Sequence, residues 1–130
     1  MASIFSRIVA GEIPCHKVAE DDRCLAFLDI RPIVWGHTLV IPKRETDYIF
    51  DMEDADLAHL HLFAKKVASV LRDEVPCLRI GVMVAGLEVP HAHIHLVPMN
   101  AISDLSFTNP RPVFADSEVA ALAERLRARF

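Results

Sequence analysis

The sequence predicts an α+β fold with a mainly antiparallel sheet of five strands. Five short segments are rich in β-branched and apolar residues and are bounded by glycine, proline or aspartate. One long amphipathic helical pattern separates the third segment from the fourth, and shorter helical patterns stand near the two ends of the sequence. Few helices beside several closely spaced strands are typical of α+β domains, so we expect the long helix to cover one face of the sheet.

The first part of the chain predicts a short helix followed by three strands. Ser3 is a suitable N-cap for the helix, which closes at Gly11. The segments HKVAE and RCLAFLDI follow as two strands, and Asp21-Asp22 between them suits a tight turn. GHTLVIP is the third strand, because it is apolar and lies between a glycine and a proline.

The second part predicts the long helix, two further strands and a final helix. The long helix runs from about Asp51 to Val75, and its apolar stripe consists of Leu57, Leu60, Ala64, Val67 and Leu71. The segments LRIGVMVAG and HAHIHLVP are the fourth and fifth strands. Residues 100 to 115 read as an extended tail, and the final helix is expected from Ser117 to Arg129.

Composition restricts the class of protein. With 130 residues, 52% of them apolar and 25% charged, the chain is expected to fold as one globular domain. A net charge of −4 argues against nucleic acid as a partner, which would require a basic surface. The sequence has no apolar stretch near 18 residues, so we expect no membrane span. Three cysteines without paired spacing indicate reduced thiols and a cytoplasmic protein.

Three histidines occupy alternate positions of the last strand segment, at His91, His93 and His95. Alternate side chains of a strand point to opposite faces, so the imidazoles share one face while the apolar residues between them face the core. The regular alternation of one polar residue type argues against histidines without a joint task. They are then either metal ligands or catalytic groups aligned on one surface.

Strand geometry separates these two interpretations. The outer two Cα atoms lie roughly 13 Å apart along a strand, whereas zinc needs its nitrogen ligands about 2 Å from one centre. Two neighbours such as His93 and His95 can chelate one ion, with His37 as the natural third ligand. Nucleophilic attack at phosphorus needs no convergence, because one neutral imidazole attacks while its neighbours donate hydrogen bonds to the phosphoryl oxygens. The pattern favours the nucleophilic interpretation and leaves the metal site as an alternative.

Two blocks of the sequence resemble the histidine-triad (HIT) superfamily. Residues 91–97 match its signature His-φ-His-φ-His-φ-φ, in which φ is apolar. The segments IFSRIVAGEIP, EDDRCLAFLDIRP and GHTLVIPKR resemble, in order and spacing, the amino-terminal half of histidine-triad nucleotide-binding proteins. The resemblance covers about residues 3–99, and it implies a single HIT-like domain with a five-stranded antiparallel sheet and a carboxyl-terminal extension over about residues 100–130.

The resemblance also implies roles by position. His93 is implied to be the nucleophile, His95 to hydrogen-bond the α-phosphate and His91 to orient its neighbours, while His37 completes the site. Asp29 resembles the acidic residue that accepts the ribose hydroxyls. The base pocket is implied to consist of Phe5, Ile8, Ile13, Phe27 and Ile30, although the apolar pattern alone would assign most of these to the core. These roles agree with chemistry, since a carboxylate accepts hydroxyl protons and a purine prefers flat apolar walls.

The segment before the triad departs from the family pattern. Relatives carry a longer glycine-rich loop whose amide and hydroxyl groups contact the phosphate, whereas this chain has VAGLEVPHAH. Those donors are missing, and Glu88 would repel a phosphate group. Some relatives hold zinc with a C-x-x-C near the amino terminus, but Ser3 and Ser6 stand there, so no metal is expected.

The resemblance implies a hydrolase of nucleoside phosphoramidates or related nucleotidyl phosphates that acts through a covalent nucleotidyl-His93 and needs no cofactor. The expected partners are a purine nucleotide or nucleoside phosphoramidate and a second copy of the chain, in a homodimer whose sheets join edge to edge. Two alternatives stay open. One is a nucleotide-binding module with weak catalysis, and the other is a metal-dependent hydrolase that uses His37, His93 and His95.

Overall fold

The computed structural model describes residues 2–130 and has the predicted α+β architecture, which confirms the fold class. The strands are β1 (His16–Glu20), β2 (Cys24–Leu28), β3 (Thr38–Pro42), β4 (Arg79–Met83) and β5 (Ile94–Met99). The helices are α1 (Ile4–Val9), α2 (Asp54–Glu74) and α3 (Asp116–Arg127). Short 3₁₀ turns occupy Ile49–Asp51 and Ile102–Leu105. The strand order is β1-β2-β3-β5-β4, and every neighbouring pair is antiparallel.

The centre of the sheet is covered on both faces, which explains why β2 and β3 are buried along their whole length. On one face, alternate residues such as Ala26, Val40 and Leu96 belong to a large core with residues of α2 and α3. On the other face, Phe27 and Leu39 belong to a smaller cluster with Phe5 of α1. We call these the helix face and the triad face, because His95 pairs directly with Leu39 and therefore shares its side of the sheet.

The strand that carries the triad begins later than predicted. Regular pairing of β5 starts at Ile94, so His91 and His93 precede the strand. The reason lies in β3, which ends at Pro42, a residue without an N–H to continue the ladder. The N–H of Ala92 instead donates to the carbonyl of Thr46 at 2.6 Å. The alternation survives, since Ala92 and Ile94 are still in the core of the helix face.

Gly36 fixes the approach to His37. It has a φ of 87°, in the left-handed region that favours glycine. A Cβ at this position would lie 3.0 Å from the Val75 side chain and 3.1 Å from Pro98. A larger residue would therefore push the chain away from both α2 and β5 at the residue before His37.

The remaining boundaries differ from the predictions by small amounts. α2 begins at Asp54 rather than Asp51, because Ile49–Asp51 forms its own 3₁₀ turn and the backbone is extended at Met52 and Glu53. The tail expected over residues 100–115 contains the turn Ile102–Leu105, where the Asp104 carboxylate accepts hydrogen bonds from two backbone N–H groups. Within residues 2–130, the helices are all too short or too polar to cross a membrane.

Candidate functional site

The structure brings the four predicted histidines together beneath α1. The ring centroids of His93 and His95 are 4.8 Å apart, and those of His37 and His95 are 5.2 Å apart. All four side chains are buried, and His93 keeps only 4% of its surface exposed. Buried imidazoles need specific hydrogen-bond partners, and these partners determine which nitrogen of each ring carries the proton.

His93 is held by the backbone of its own segment. Its Nδ1 lies 2.7 Å from the carbonyl oxygen of His91, which can only accept a hydrogen bond, so Nδ1 carries the proton. The neutral ring therefore has its lone pair on Nε2. An imidazole nitrogen in this state is suited to nucleophilic attack. The hydrogen bond between His91 and His93 therefore uses the His91 carbonyl group and not its ring.

A chain of hydrogen bonds gives His95 the opposite tautomer. The N–H of Ile33 donates to Nδ1 of His37 at 3.0 Å, so the His37 proton is on Nε2. That Nε2 donates to Nδ1 of His95 at 2.9 Å, which leaves the His95 proton on its own Nε2. His95 therefore presents an N–H donor beside the lone pair of His93. This is the pair of groups needed to attack phosphorus and to hydrogen-bond a phosphoryl oxygen.

Burial keeps the rings of His37 and His95 neutral. Burial, followed by the positive charge of Arg111, lowers the pKa of His37 to about 4. Burial, followed by the neighbouring rings of His37 and His93, lowers the pKa of His95 to about 3. At neutral pH both rings are uncharged, as the tautomer chain requires.

His91 connects the triad to α1. Its Nε2 donates to the carbonyl of Pro42 at 2.8 Å, and its Nδ1 accepts from the Ser3 hydroxyl at 2.8 Å. The same hydroxyl accepts from the N–H of Ser6 and so caps α1. Glu45 accepts from the Ser3 N–H and the Ser6 hydroxyl, each at 2.7 Å, and these bonds lower the pKa of Glu45 to about 2. Sequence reasoning found Ser3 as a cap but not these links, which join residues more than 35 positions apart.

The predicted base-pocket residues divide into two groups. The ring of Phe5 lies 5.0 Å from His93 and 5.7 Å from Phe27, and Ile8 packs against the same cluster. Ile13 is partly buried outside this cluster. Ile30 is 79% exposed. The structure thus places Phe5 against His93, and Phe27 and Ile8 in the cluster around Phe5.

Asp29 lies at the end of β2 next to His37. One carboxylate oxygen accepts from the N–H of Arg31 at 2.8 Å, and the other lies 3.7 Å from Nδ1 of His37. The carboxylate also lines an open cavity of about 350 Å³, together with Ile30, Arg111 and Phe114. Asp29, the residue predicted to bind the ribose, therefore borders open space.

The carboxyl-terminal segment enters the site, which sequence reasoning did not find. The ring of Phe107 packs edge-on against His95, with centroids 4.9 Å apart. The guanidinium of Arg111 lies 5.5 Å from the centre of the Phe107 ring and donates to the carbonyl of Arg31 at 2.5 Å. No local pattern in the sequence indicates these contacts, because the tail reaches back over the sheet.

Among residues 2–130, two groups of side chains have donor atoms close enough to hold a metal ion. The first consists of Asp29, His37 and His95. It differs from the predicted set of His37, His93 and His95, because it contains Asp29 and lacks His93. Both nitrogens of His37 are already hydrogen-bonded there. The second consists of Asp21, Cys24 and His59, but burial raises the pKa of the Cys24 thiol to about 12, which disfavours the thiolate that binds metals.

Comparison with known proteins agrees with this geometry. The HIT domain family matches residues 10–102. An adenosine 5'-monophosphoramidase of Schizosaccharomyces pombe is 35% identical over 131 residues, covering 99% of this chain and 98% of that protein. A Hit-like protein involved in cell-cycle regulation from Bartonella henselae has a crystal structure with a TM-score of 0.84 and 28% identity, covering 98% of this chain and 96% of that one. A zinc-bound histidine triad family protein from Mycobacterium smegmatis has a TM-score of 0.80 and 29% identity, over 98% and 92% of the two chains.

The family match covers most of the chain and includes the triad, β2 and β3. The relative from Schizosaccharomyces pombe extends the similarity through the carboxyl-terminal segment as well. The chain therefore belongs to the HIT domain family.

Proposed function

We propose that this protein hydrolyses nucleoside phosphoramidates or related nucleotidyl phosphates through a covalent nucleotidyl-His93 intermediate. The observation that carries the proposal is the pair of fixed tautomers, with a lone pair on Nε2 of His93 beside an N–H on Nε2 of His95. The relative named adenosine 5'-monophosphoramidase supports the same chemistry. The preferred substrates are purine nucleoside phosphoramidates, whose base can stack against apolar walls such as Phe5 and Phe27.

Two displacements at the α-phosphorus make up the reaction. Nε2 of His93 attacks, a nitrogen–phosphorus bond to the ring forms, and the substrate amine leaves with a proton taken from water. His95 donates a hydrogen bond to a phosphoryl oxygen as negative charge builds up there. Water then attacks the same phosphorus and passes its proton to the hydroxide left by the first step. The bond between phosphorus and Nε2 breaks, and the nucleoside monophosphate departs from the neutral imidazole. The ring, the base wall and the ribose acceptor Asp29 all belong to the chain itself, so no cofactor takes part.

The test compares hydrolysis of adenosine 5'-phosphoramidate by the wild type, His93→Ala and His61→Ala. His61 is an exposed residue of α2 that hydrogen-bonds the carbonyl of Leu57, so its loss is a matched control outside the site. We expect His93→Ala to lower kcat by roughly 10³-fold or more, as removal of a nucleophile does in other enzymes, and His61→Ala to retain the wild-type rate. An adenylyl adduct should appear by intact-mass spectrometry after alkaline quenching in the wild type and in His61→Ala, but not in His93→Ala. Equal rates in the wild type and His93→Ala would exclude the proposal.

The same assay addresses the two other functions considered. A metal-dependent hydrolase would lose its activity after dialysis against a chelator, whereas the proposed mechanism retains it. A nucleotide-binding module without catalysis is favoured by the deep burial of His93 and by the donor-poor segment before it. That function predicts saturable binding of adenosine monophosphate by calorimetry with no product from the phosphoramidate.

We also propose a homodimer joined through β4. The sheet edges are β1 and β4, and α3 packs against β1. The β4 edge is open and carries apolar side chains, with Val82 59% exposed and Leu78 67% exposed. Pairing two such edges hides unpaired backbone groups and apolar surface together. Light scattering on the wild type should give twice the mass of the chain, and Val82→Lys should give the monomer mass.

The cysteines support a proposed cytoplasmic location. Cys15, Cys24 and Cys77 are free thiols. Burial raises the pKa of Cys15 and Cys24, so these thiols are protonated and unreactive at neutral pH. Unpaired thiols are usual in a reducing compartment, and fractionation of cells that produce the protein checks this location.

A further inference from the structure

The histidine site needs a positive charge that the triad does not supply. The phosphoryl group of a nucleotide is an anion, and burial keeps His37 and His95 neutral at physiological pH. The segment before the triad offers no hydroxyl or amide side chain from Val84 to Pro90, and its ionisable residue is the acidic Glu88. A buried anion without a charged or hydrogen-bonded partner is strongly disfavoured.

Arg111 lies close enough to the triad to supply this positive charge. Its guanidinium lies over the ring of Phe107, and Phe107 packs edge-on against His95, so one side chain separates Arg111 from the triad. The side chain is half-buried, and it lines the same cavity as Asp29. One of its N–H groups donates to the carbonyl of Arg31, which anchors the guanidinium and leaves other donors free. A planar guanidinium with several donors matches the oxygens of a phosphate group.

We infer that Arg111 binds the phosphate of the nucleotide and replaces, from the carboxyl-terminal segment, the donors that the segment before the triad lacks. The inference rests on the proposed nucleotide ligand. Asp29, which lines a cavity together with Arg111, is then left to bind the ribose hydroxyls of the same nucleotide. The carboxyl-terminal segment is in this way part of the binding site rather than an appendage to the domain.

The test measures binding of adenosine monophosphate and of adenosine by calorimetry, using the wild type, Arg111→Met, Arg111→Lys and Arg125→Met. Arg125 is an exposed residue of α3 near Glu74, so Arg125→Met removes one charge far from the histidines. We expect Arg111→Met to weaken adenosine monophosphate binding roughly 10- to 100-fold, the usual worth of a charge-assisted hydrogen bond. Adenosine binding should change less than about twofold, since it has no phosphate. Arg111→Lys should recover part of the loss, and Arg125→Met should behave as the wild type.

The outcomes separate this inference from the proposed function. Unchanged binding of adenosine monophosphate by Arg111→Met, or an equal loss for both ligands, would overturn the role of Arg111 even if the wild type hydrolyses the phosphoramidate. A wild type that binds no adenosine monophosphate would overturn it as well. A loss specific to the phosphate in a protein without turnover would support Arg111 and contradict the hydrolase.

Discussion

The centre of the sheet is buried on both faces, but different kinds of contact bury the two faces. The helix face is an apolar core in which side chains such as Leu60, Ile94 and Leu122 are fully buried. The triad face buries imidazoles instead, and within residues 2–130 every buried side-chain nitrogen or oxygen has a hydrogen-bond partner. Apolar packing depends on volume and tolerates small shifts, whereas the histidine network depends on which atom carries each proton. The helix face therefore contributes stability through apolar packing, whereas on the triad face hydrogen bonds to the buried histidines also fix which nitrogens carry protons.

Substitutions of two adjacent residues of β5 test this difference between the faces most directly. His95 lies on the triad face and Leu96 on the helix face, and both are buried. We expect His95→Ala to lower kcat roughly 10²- to 10³-fold, because the donor to the phosphoryl oxygen is lost. Leu96→Ala should instead lower the free energy of unfolding by about 2–5 kcal/mol through the cavity it leaves.

The measurements are kcat on the phosphoramidate and the free energy of unfolding in urea, for both variants and the wild type. The kcat of Leu96→Ala, corrected for its folded fraction, should remain within about threefold of the wild type, as for a substitution that leaves the reacting groups in place. A fall in kcat as large as that of His95→Ala would show that the two faces do not act separately.

The helix face could be predicted almost completely from the sequence. Apolar residues at helical spacing in α2 and alternating residues around the triad both assign side chains to the core, and Leu60, Ala64, Ile94 and Leu96 are all buried there. These patterns depend on local periodicity, which one sequence displays directly. The start of β5 could not be found in the same way, because it depends on Pro42 in a different strand.

The triad face could be predicted only in part. Alternation placed His91, His93 and His95 on one side, but the proton positions depend on the Pro42 carbonyl, the Ile33 N–H and the carbonyl of His91 itself. The contact of the Ser3 hydroxyl with His91 and that of Arg111 with the Arg31 carbonyl join segments at least 80 residues apart. Such contacts follow from the folded path of the chain and leave no periodic signal.

The burial of neutral histidines predicts that acid weakens the fold. The pKa of His37 falls to about 4 and that of His95 to about 3 in the folded protein, while the ordinary value in an unfolded chain is 6.5. Above pH 6.5 both states carry neutral rings, so the full free energy of unfolding is available. As the pH falls below 6.5 the unfolded chain takes up protons that the folded chain does not, and stability is lost until the folded rings titrate near pH 4 and 3.

Urea unfolding at pH 7 and pH 5 measures this effect in the wild type, His37→Gln and the exposed control His61→Gln. The depressed pKa of Glu45, about 2 in the folded protein, matters only at lower pH, so the chosen window isolates the histidines. Between pH 7 and pH 5, we expect the free energy of unfolding of His37→Gln to fall by about 2 kcal/mol less than that of the wild type, because one titrating ring is removed. The free energy of unfolding of the control His61→Gln should fall by as much as that of the wild type. An equal loss in all three proteins would mean that His37 has the same pKa in the folded protein as in the unfolded chain, which would contradict a buried ring held neutral down to pH 5.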